Sequence, residues 1–453
     1  MAKKLWLLFG HSLEWQILPF YKFCGIIATE HSKFGGHCHE KVVLIPDSFK
    51  GTISSQEVCE IVARQVLRFH PEAEVISIPV ADGGEGTVDC FLLSQPGERV
   101  SAQVKGPYFE DITADYALLD GGKTAVVEIA SCAGLPMVDG RKNPKMTTTY
   151  GFGQLILDAA RRGATRIVAA LGGSCTNDCA CGMAAALGVA FYNEAGEPFI
   201  PTGGNLRDIR RIDRSGLAKE LSGVEIVAMC DIDNPMYGAT GAAYVFGPQK
   251  GADGAMVEEL DQGLRHLSQV LIRDLGVDVA QLPGAGAAGA AGAGVVAFLG
   301  GSLEKGIDVV LDAVKFEELI ADADLIFTGE GKLDTQSIRG KVVVGVSRRA
   351  KDSGVPVIAI VGDVGDGIGA VYDLGVSAVF STNQIAVPFE EARLRAKEDL
   401  AATAENVARF AQLLPGKNRL HSHGSGGGFP YARSKSFFKY REKRIPWNRN
   451  PNR

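Results

Sequence analysis

From Lys41 onward the chain alternates short, almost purely apolar runs with longer segments whose apolar residues recur every three or four positions. The first run, KVVLIP at 41–46, leads into the polar loop Asp47-Ser48-Phe49-Lys50-Gly51, and Ser54-Ser55-Gln56-Glu57 then has the spacing of a helix capping box. Val58, Ile61, Val62, Val66 and Phe69 follow at helical spacing, which predicts a helix. The same grammar recurs at 75–80 (VISIPV), 166–171 (RIVAAL), 225–230 (EIVAMC), 324–327 (DLIF) and 356–361 (PVIAIV), each followed by a loop carrying Gly or Asp. Continuous apolar strands separated by helices predict an α/β fold with a mostly parallel sheet covered on both faces. Ligands of such sheets bind beyond the carboxyl ends of the strands, so these loops are expected to converge on one cleft. Between 100 and 127 the pattern changes: ITADYALL and KTAVVEI read as a β-hairpin turned at Asp120-Gly121-Gly122. A second α/β domain is therefore expected at 95–290, inserted into a discontinuous first domain made of 41–94 and 291–415.

Composition narrows the classes. The 453 residues are 46% hydrophobic and 22% charged, ordinary for globular chains and long enough for two or three domains. The 56 glycines and 19 prolines have no three-residue period, which excludes a collagen and assigns the glycines to loops. Net charge is −6, yet the last 38 residues, 416–453, hold ten Lys/Arg against the single acid Glu442, a net of +9 that leaves −15 for the rest. An acidic body argues against nucleic acid as a partner and leaves small anionic ligands to local loops or to a cation. Nine irregularly spaced cysteines are no disulfide framework, so a reducing cytoplasm is expected. His11, Glu14 and Gln16 interrupt the apolar start before a secretory or membrane-spanning segment can form, and no membrane partner is expected. The extensions 1–40 and 416–453 are both expected to be poorly ordered. The oligomeric state stays open, a homodimer being one alternative.

Among the body's residues only His70 and His266 are histidines, which leaves no basis for a His-centred triad, and no P-loop motif is present. Gly284, Gly286 and Gly289 fit a dinucleotide-binding pattern in spacing alone, with no buried strand before them; a backbone-rich phosphate or substrate loop, or tight helix packing, fits better. In the loop 82–87, the amides of Gly83, Gly84, Gly86 and Thr87 can face a phosphate while Asp82 or Glu85 faces Mg²⁺. Gly172, Gly173, Ser174, Thr176, Asn177 and Asp178 suit a polyhydroxylated substrate or a phosphate. Gly329, Glu330, Gly331, Lys332 and Asp334 supply both signs of charge after a buried strand, and Lys332, Arg339 and Lys341 could neutralise a transferring phosphoryl group. At the end of the first strand Asp47 could accept a hydroxyl proton, with Ser48 beside it and Lys50 able to bind a carboxylate. Cys175, Cys179 and Cys181 read as small buried helix residues rather than a metal cluster.

Six motifs in this order, 46–51, 81–87, 172–178, Asp231-x-x-Asn234-Pro235, 283–289 and 328–334, resemble those of the type I glycerate kinases. The resemblance runs from Lys41 to about Leu414. It implies ATP-dependent phosphorylation of D-glycerate, usually to 2-phosphoglycerate, by two α/β domains, one flavodoxin-like, with the cleft between them. The resemblance itself assigns no residue roles; from the chemistry of these motifs we expect Asp47 or Asp231 as the base, Asp82, Glu85 and Glu330 as Mg²⁺ partners, and Lys50, Lys332 and Arg339 as anion holders. Asn234, Gly284 and Gly286 join the substrate- and phosphate-binding set. Two departures stand out: Cys179-Ala180-Cys181 replaces the family's small residues and is expected to crowd a helix start, and both extensions lie outside the pattern. The alternatives are a kinase of another small hydroxy acid, or an inactive sensor of glycerate or nucleotide.

Overall fold

The computed structural model describes residues 41–81, 83–335, 337 and 341–412. Asp82, Arg339 and both terminal extensions lie outside the described residues. The chain opens with β1 (Lys41–Pro46) and β2 (Glu74–Ser77), then passes to β3 (Gly97–Lys105), β4 (Asp111–Leu119), β5 (Thr124–Glu128) and β6 (Arg166–Ala170). A small antiparallel sheet of β7 (Ala190–Tyr192), β8 (Pro198–Phe199) and β9 (Arg211–Asp213) precedes β10 (Glu225–Met229) and β11 (Ser302–Glu304). The last strands are β12 (Leu325–Gly329), β13 (Lys332–Leu333), β14 (Val357–Val361), β15 (Asp363–Val364) and β16 (Val376–Ser381).

Five strands form a wholly parallel sheet in the order β2-β1-β12-β14-β16. Counted by appearance within that sheet the order is 2-1-3-4-5, the flavodoxin-type arrangement. The other large sheet runs β11-β10-β6-β5-β4-β3, parallel from β11 to β5 and antiparallel from β5 to β3. Its hairpin β4–β5 turns at Asp120–Gly122, where the sequence placed it. The second sheet still claims β11, so the return to the first sheet falls after Glu304 rather than at 291. Edge strand β3 escaped the sequence reading because it buries only Val100 and Val104, too few for an apolar signature.

Strand β1 shows why the parallel runs read as continuous apolar text. Val42 and Leu44 pack on one face with Val58, Val62 and Val66 of the helix Ser55–Phe69 and with Leu400 and Val407. Val43 and Ile45 join a different cluster with Ile307, Val310, Phe316 and Val346, which also takes Leu119, Val126, Val168 and Val227 from the second sheet. One apolar cluster thus spans both units and fixes how their strand ends meet. Ser54 caps the helix Ser55–Phe69 and completes the capping box with Glu57, as its sequence predicts.

Backbone contact also ties the units together. The N–H of Gly172 donates to the carbonyl of Gly83 at 2.7 Å, and a Cβ on Gly172 would sit 2.7 Å from the Gly84 Cα. Neither loop has a flexible side chain there to move aside, so Gly172→Ala is expected to cost about 2–3 kcal/mol of stability in a denaturant titration.

Candidate active site

The site begins where the central strands of the first sheet end. Pro46 pairs in register with Gly329, so Asp47 and Glu330 leave adjacent strands side by side at the point where the strand order reverses. The Asp47 N–H donates to the Gly329 carbonyl at 2.8 Å, and its Oδ1 accepts from the Ser48 N–H at 2.7 Å. Glu330 is only 3% exposed and its Oε1 has no hydrogen-bond partner among the described residues. Burial pushes its carboxyl up to about 7; the charges of Asp47 and Asp334 act in the same direction, while the Ser337 hydroxyl and Lys341 oppose them. Lys50, Lys332 and Lys341 surround this carboxylate pair with exposed ammonium groups.

The second sheet offers a matching end. Ala170 pairs with Met229, so Leu171-Gly172-Gly173-Ser174 and Cys230-Asp231-Ile232 emerge next to each other. Asp231 Oδ1 accepts at 2.8 Å from the N–H of Gly306, the first residue of the helix Gly306–Ala313. Lys250, missed by the sequence reading, enters from the short helical turn Pro248–Lys250. It is 2% exposed, and its Nζ donates to Ser174 Oγ at 3.0 Å and to the Thr176 carbonyl at 2.6 Å. Burial lowers its ammonium to about 8. In sequence it is one lysine in a Gly-Pro-Gln-Lys-Gly turn, with no periodicity or charge pairing to mark it.

Both strand ends open into one cleft of about 1130 Å³. It gathers Asp47, Ser48, Lys50, Gly84, Glu330, Gly331, Lys332 and Lys341 from the first unit, and Gly172, Gly173, Ser174, Asp231 and Lys250 from the other side. Val387, Phe389 and Ala392 add an apolar wall at the first-unit end.

Other expected site residues stand behind this lining. Asp178 is buried outside the cleft lining; its Oδ2 accepts from the Thr149 N–H at 2.9 Å, the Thr149 hydroxyl at 2.8 Å and the Gly182 N–H at 3.2 Å and so joins two loops, while its Oδ1 has no partner among the described residues. Thr176 and Asn177 are also buried beneath the Ser174 loop. The Thr87 hydroxyl donates to the Gly84 carbonyl at 2.7 Å, while Gly83 and Gly86 shape the same turn with φ of 78° and 88°. Glu85 points to solvent outside the cleft. The acid that serves this turn is Glu128, at the end of β5, which accepts from the Val88 N–H.

Asn234 donates to the Thr240 carbonyl at 2.8 Å, and its own carbonyl takes the Gly286 N–H at 2.9 Å. Gly284 and Gly286 therefore serve close backbone packing, and only the following Ala287 and Ala288 reach the cleft. Gly329 is bare because a Cβ there would meet the Ile360 carbonyl at 2.2 Å, and Asp334 approaches Glu330 from outside the lining. The expected crowding at Cys179-Ala180 is absorbed by left-handed backbone, φ 50° and 53°, with all three side chains of 179–181 buried. Both body histidines bond backbone carbonyls, His70 that of Ala408 and His266 that of Ile209.

Two α/β units with carboxylates, lysines and glycine-rich strand-end loops around one cleft, and no P-loop, are compatible with a small-molecule phosphotransferase, a class that comparison with known proteins supplies. The sequence profile of the glycerate kinase family matches residues 42–412, and the chain belongs to that family. It is 47% identical over 379 residues to a glycerate kinase of Bacillus cereus (strain ATCC 10987 / NRS 248), covering 83% of this chain and 100% of the relative. It is 42% identical over 369 residues to the glycerate 2-kinase of Escherichia coli K12, covering 81% and 97%. A crystal structure of a protein from Salmonella typhimurium LT2, provisionally named glycerate kinase 2, superposes with a TM-score of 0.72 at 40% identity, covering 83% of this chain and 99% of that one.

Proposed function

We propose that this cleft transfers the γ-phosphoryl group of ATP to the 2-hydroxyl of D-glycerate, giving 2-phosphoglycerate and ADP. The observation that carries the reading is the one cleft that gathers the exposed Lys50, Lys332 and Lys341 with Asp47 and Glu330 on the first unit, opposite Asp231 and the Gly172–Ser174 loop on the second. The lysines suit a polyphosphate, whose transfer depends on positioning and on neutralising equatorial oxygens. The wall of Val387, Phe389 and Ala392 suits the flat base of the nucleotide. Asp231, opposite, accepts the hydroxyl proton as the oxygen bonds to phosphorus and the ADP oxygen leaves.

The residues fit Mg²⁺. Glu330 has a buried oxygen without a partner and stands beside Asp47, and Mg²⁺ is commonly held by one or two carboxylates together with substrate phosphates. Asp47 and Glu330 would hold it, with Asp334 close by; Glu85 lies outside the cleft. When bound, the ion would neutralise negative charge on the transferring phosphates. Because Asp47 stands beside Glu330, we give Asp47 to the cation and the role of base to Asp231.

We place the protein in the cytoplasm, where ATP is supplied and where the seven cysteines among the described residues, all free, would stay reduced. Among the described residues no helix is long and apolar enough to cross a membrane. The test is ADP release with ATP, Mg²⁺ and D-glycerate, against L-glycerate and no-substrate controls, coupled to enolase. Enolase consumes 2-phosphoglycerate directly, so coupling without a mutase is the expected result. A mutase requirement would move the phosphate to the 3-hydroxyl, and no ADP release above the controls would overturn the reading.

A further inference from the structure

Resting on the kinase reading above, we infer that Lys250, with Ser174, forms the subsite that binds the carboxylate of the acceptor substrate. Lys250 is a cation enclosed in the second unit, and among the described residues no carboxylate forms an ion pair with it. A buried ammonium without a counter-ion is costly, and a fold keeps one where an anion arrives from outside. Two of its three N–H donors are used, on Ser174 Oγ and the Thr176 carbonyl, and its side chain lines the cleft. Desolvation is also what lowers the ammonium pKa, outweighing the opposing pull of Cys175 and of the buried Asp178 carboxylate, which makes no ion pair with it.

Behind the same loop and outside the cleft lining, Thr176 Oγ1, both side-chain amide atoms of Asn177 and Asp178 Oδ1 are buried with no partner among the described residues, so the loop that holds Lys250 is backed by polar groups rather than by an apolar core.

The choice of carboxylate over phosphate follows from placement. The three exposed lysines that suit a polyphosphate all belong to the first unit, while Lys250 shares the second unit's side with Asp231. An α-hydroxy acid presents a carboxylate and a hydroxyl on neighbouring carbons. Its recognition needs one cation and one proton acceptor on the same wall, and Lys250 with Asp231 supplies that pair.

The experiment compares wild type, Lys250→Met and Lys250→Arg, with folding checked by circular dichroism and thermal melting. Charged hydrogen bonds of this kind are worth enough that Lys250→Met should raise the KM for D-glycerate about 10- to 100-fold, with the KM for ATP changing less than about threefold. Lys250→Arg should recover part of the glycerate affinity. Wild type should prefer D-glycerate over its uncharged methyl ester, and Lys250→Met should lose that preference. An unchanged glycerate KM, or equal rises in both KM values, overturns the inference. If Lys250→Met does not fold, the ester comparison in wild type and the Lys250→Arg variant decide. If wild type turns over no glycerate, the kinase reading fails separately, and calorimetric titration of D-glycerate into wild type and Lys250→Arg then tests the subsite alone, absence of binding overturning it.

Discussion

Glu330→Gln is expected to make the ligand-free protein more stable and the enzyme far less active. The wild-type carboxyl is buried and pushed up to about 7, so ionising it in the folded state costs more than in the unfolded chain. Below the unfolded carboxyl range both states are protonated and there is no difference. As pH rises from about 4.5 to 7 the unfolded state loses its proton first, and wild type loses stability across that window. Glutamine has no proton to lose, so the variant should be the more stable by about 1–3 kcal/mol above pH 7 and equal to wild type near pH 4. Urea titrations at pH 4, 6 and 8 measure this. Activity should move in the opposite direction, kcat/KM falling about a hundredfold or more, because one of the two carboxylates that would hold the cation beside the phosphates is gone. Equal stability at pH 8 would contradict the buried, unpaired oxygen; full activity would remove Glu330 from the reaction.

Asp231→Asn should lower kcat about 10²- to 10⁴-fold, the range expected for removing a general base, with the KM for ATP nearly unchanged. Asparagine keeps an oxygen for the Gly306 N–H, so the loop after β10 should hold its shape and the melting temperature should change little. Asp47→Asn serves as the contrast. Because Asp47 pairs with Glu330, that variant should raise the Mg²⁺ concentration needed for half-maximal rate, and excess Mg²⁺ should recover part of the activity. The opposite pattern, with Asp231→Asn nearly active and Asp47→Asn dead at every Mg²⁺ concentration, would exchange the two roles.

Much of the architecture was legible without coordinates. Strands buried on both faces must be continuously apolar, and β1, β6, β10, β12 and β14 lie where KVVLIP and its counterparts put them, within one or two residues. The hairpin at 111–128 and the cap at Ser54 were equally plain, because turn and capping chemistry are local. The site was legible only in part. The loops after β1, β6, β10 and β12 announced themselves by Gly, Asp and Lys at strand ends, and their residues do line the cleft. Within those loops, however, sequence could not tell a residue facing the cleft from its neighbour facing the core. Asp178 and Ser174 belong to one motif; the first binds Thr149 inside the fold and the second meets the cleft.

By itself, then, the sequence determined the fold class, the strand-end position of the chemistry and the resemblance to glycerate kinases, since all three are carried by local pattern. The tertiary structure decided what depends on contacts distant in the chain. It set Asp47 beside Glu330 through the pairing of strands 283 residues apart, and it buried Glu330, which is what chiefly raises that carboxyl, with Asp47 adding to it. It also turned the Gly284–Gly289 run into packing, and buried Lys250 against a loop 76 residues earlier. Burial, orphaned donors and shifted ionisation are properties of the space around a side chain, and that space exists only once both sheets have closed on the same cleft.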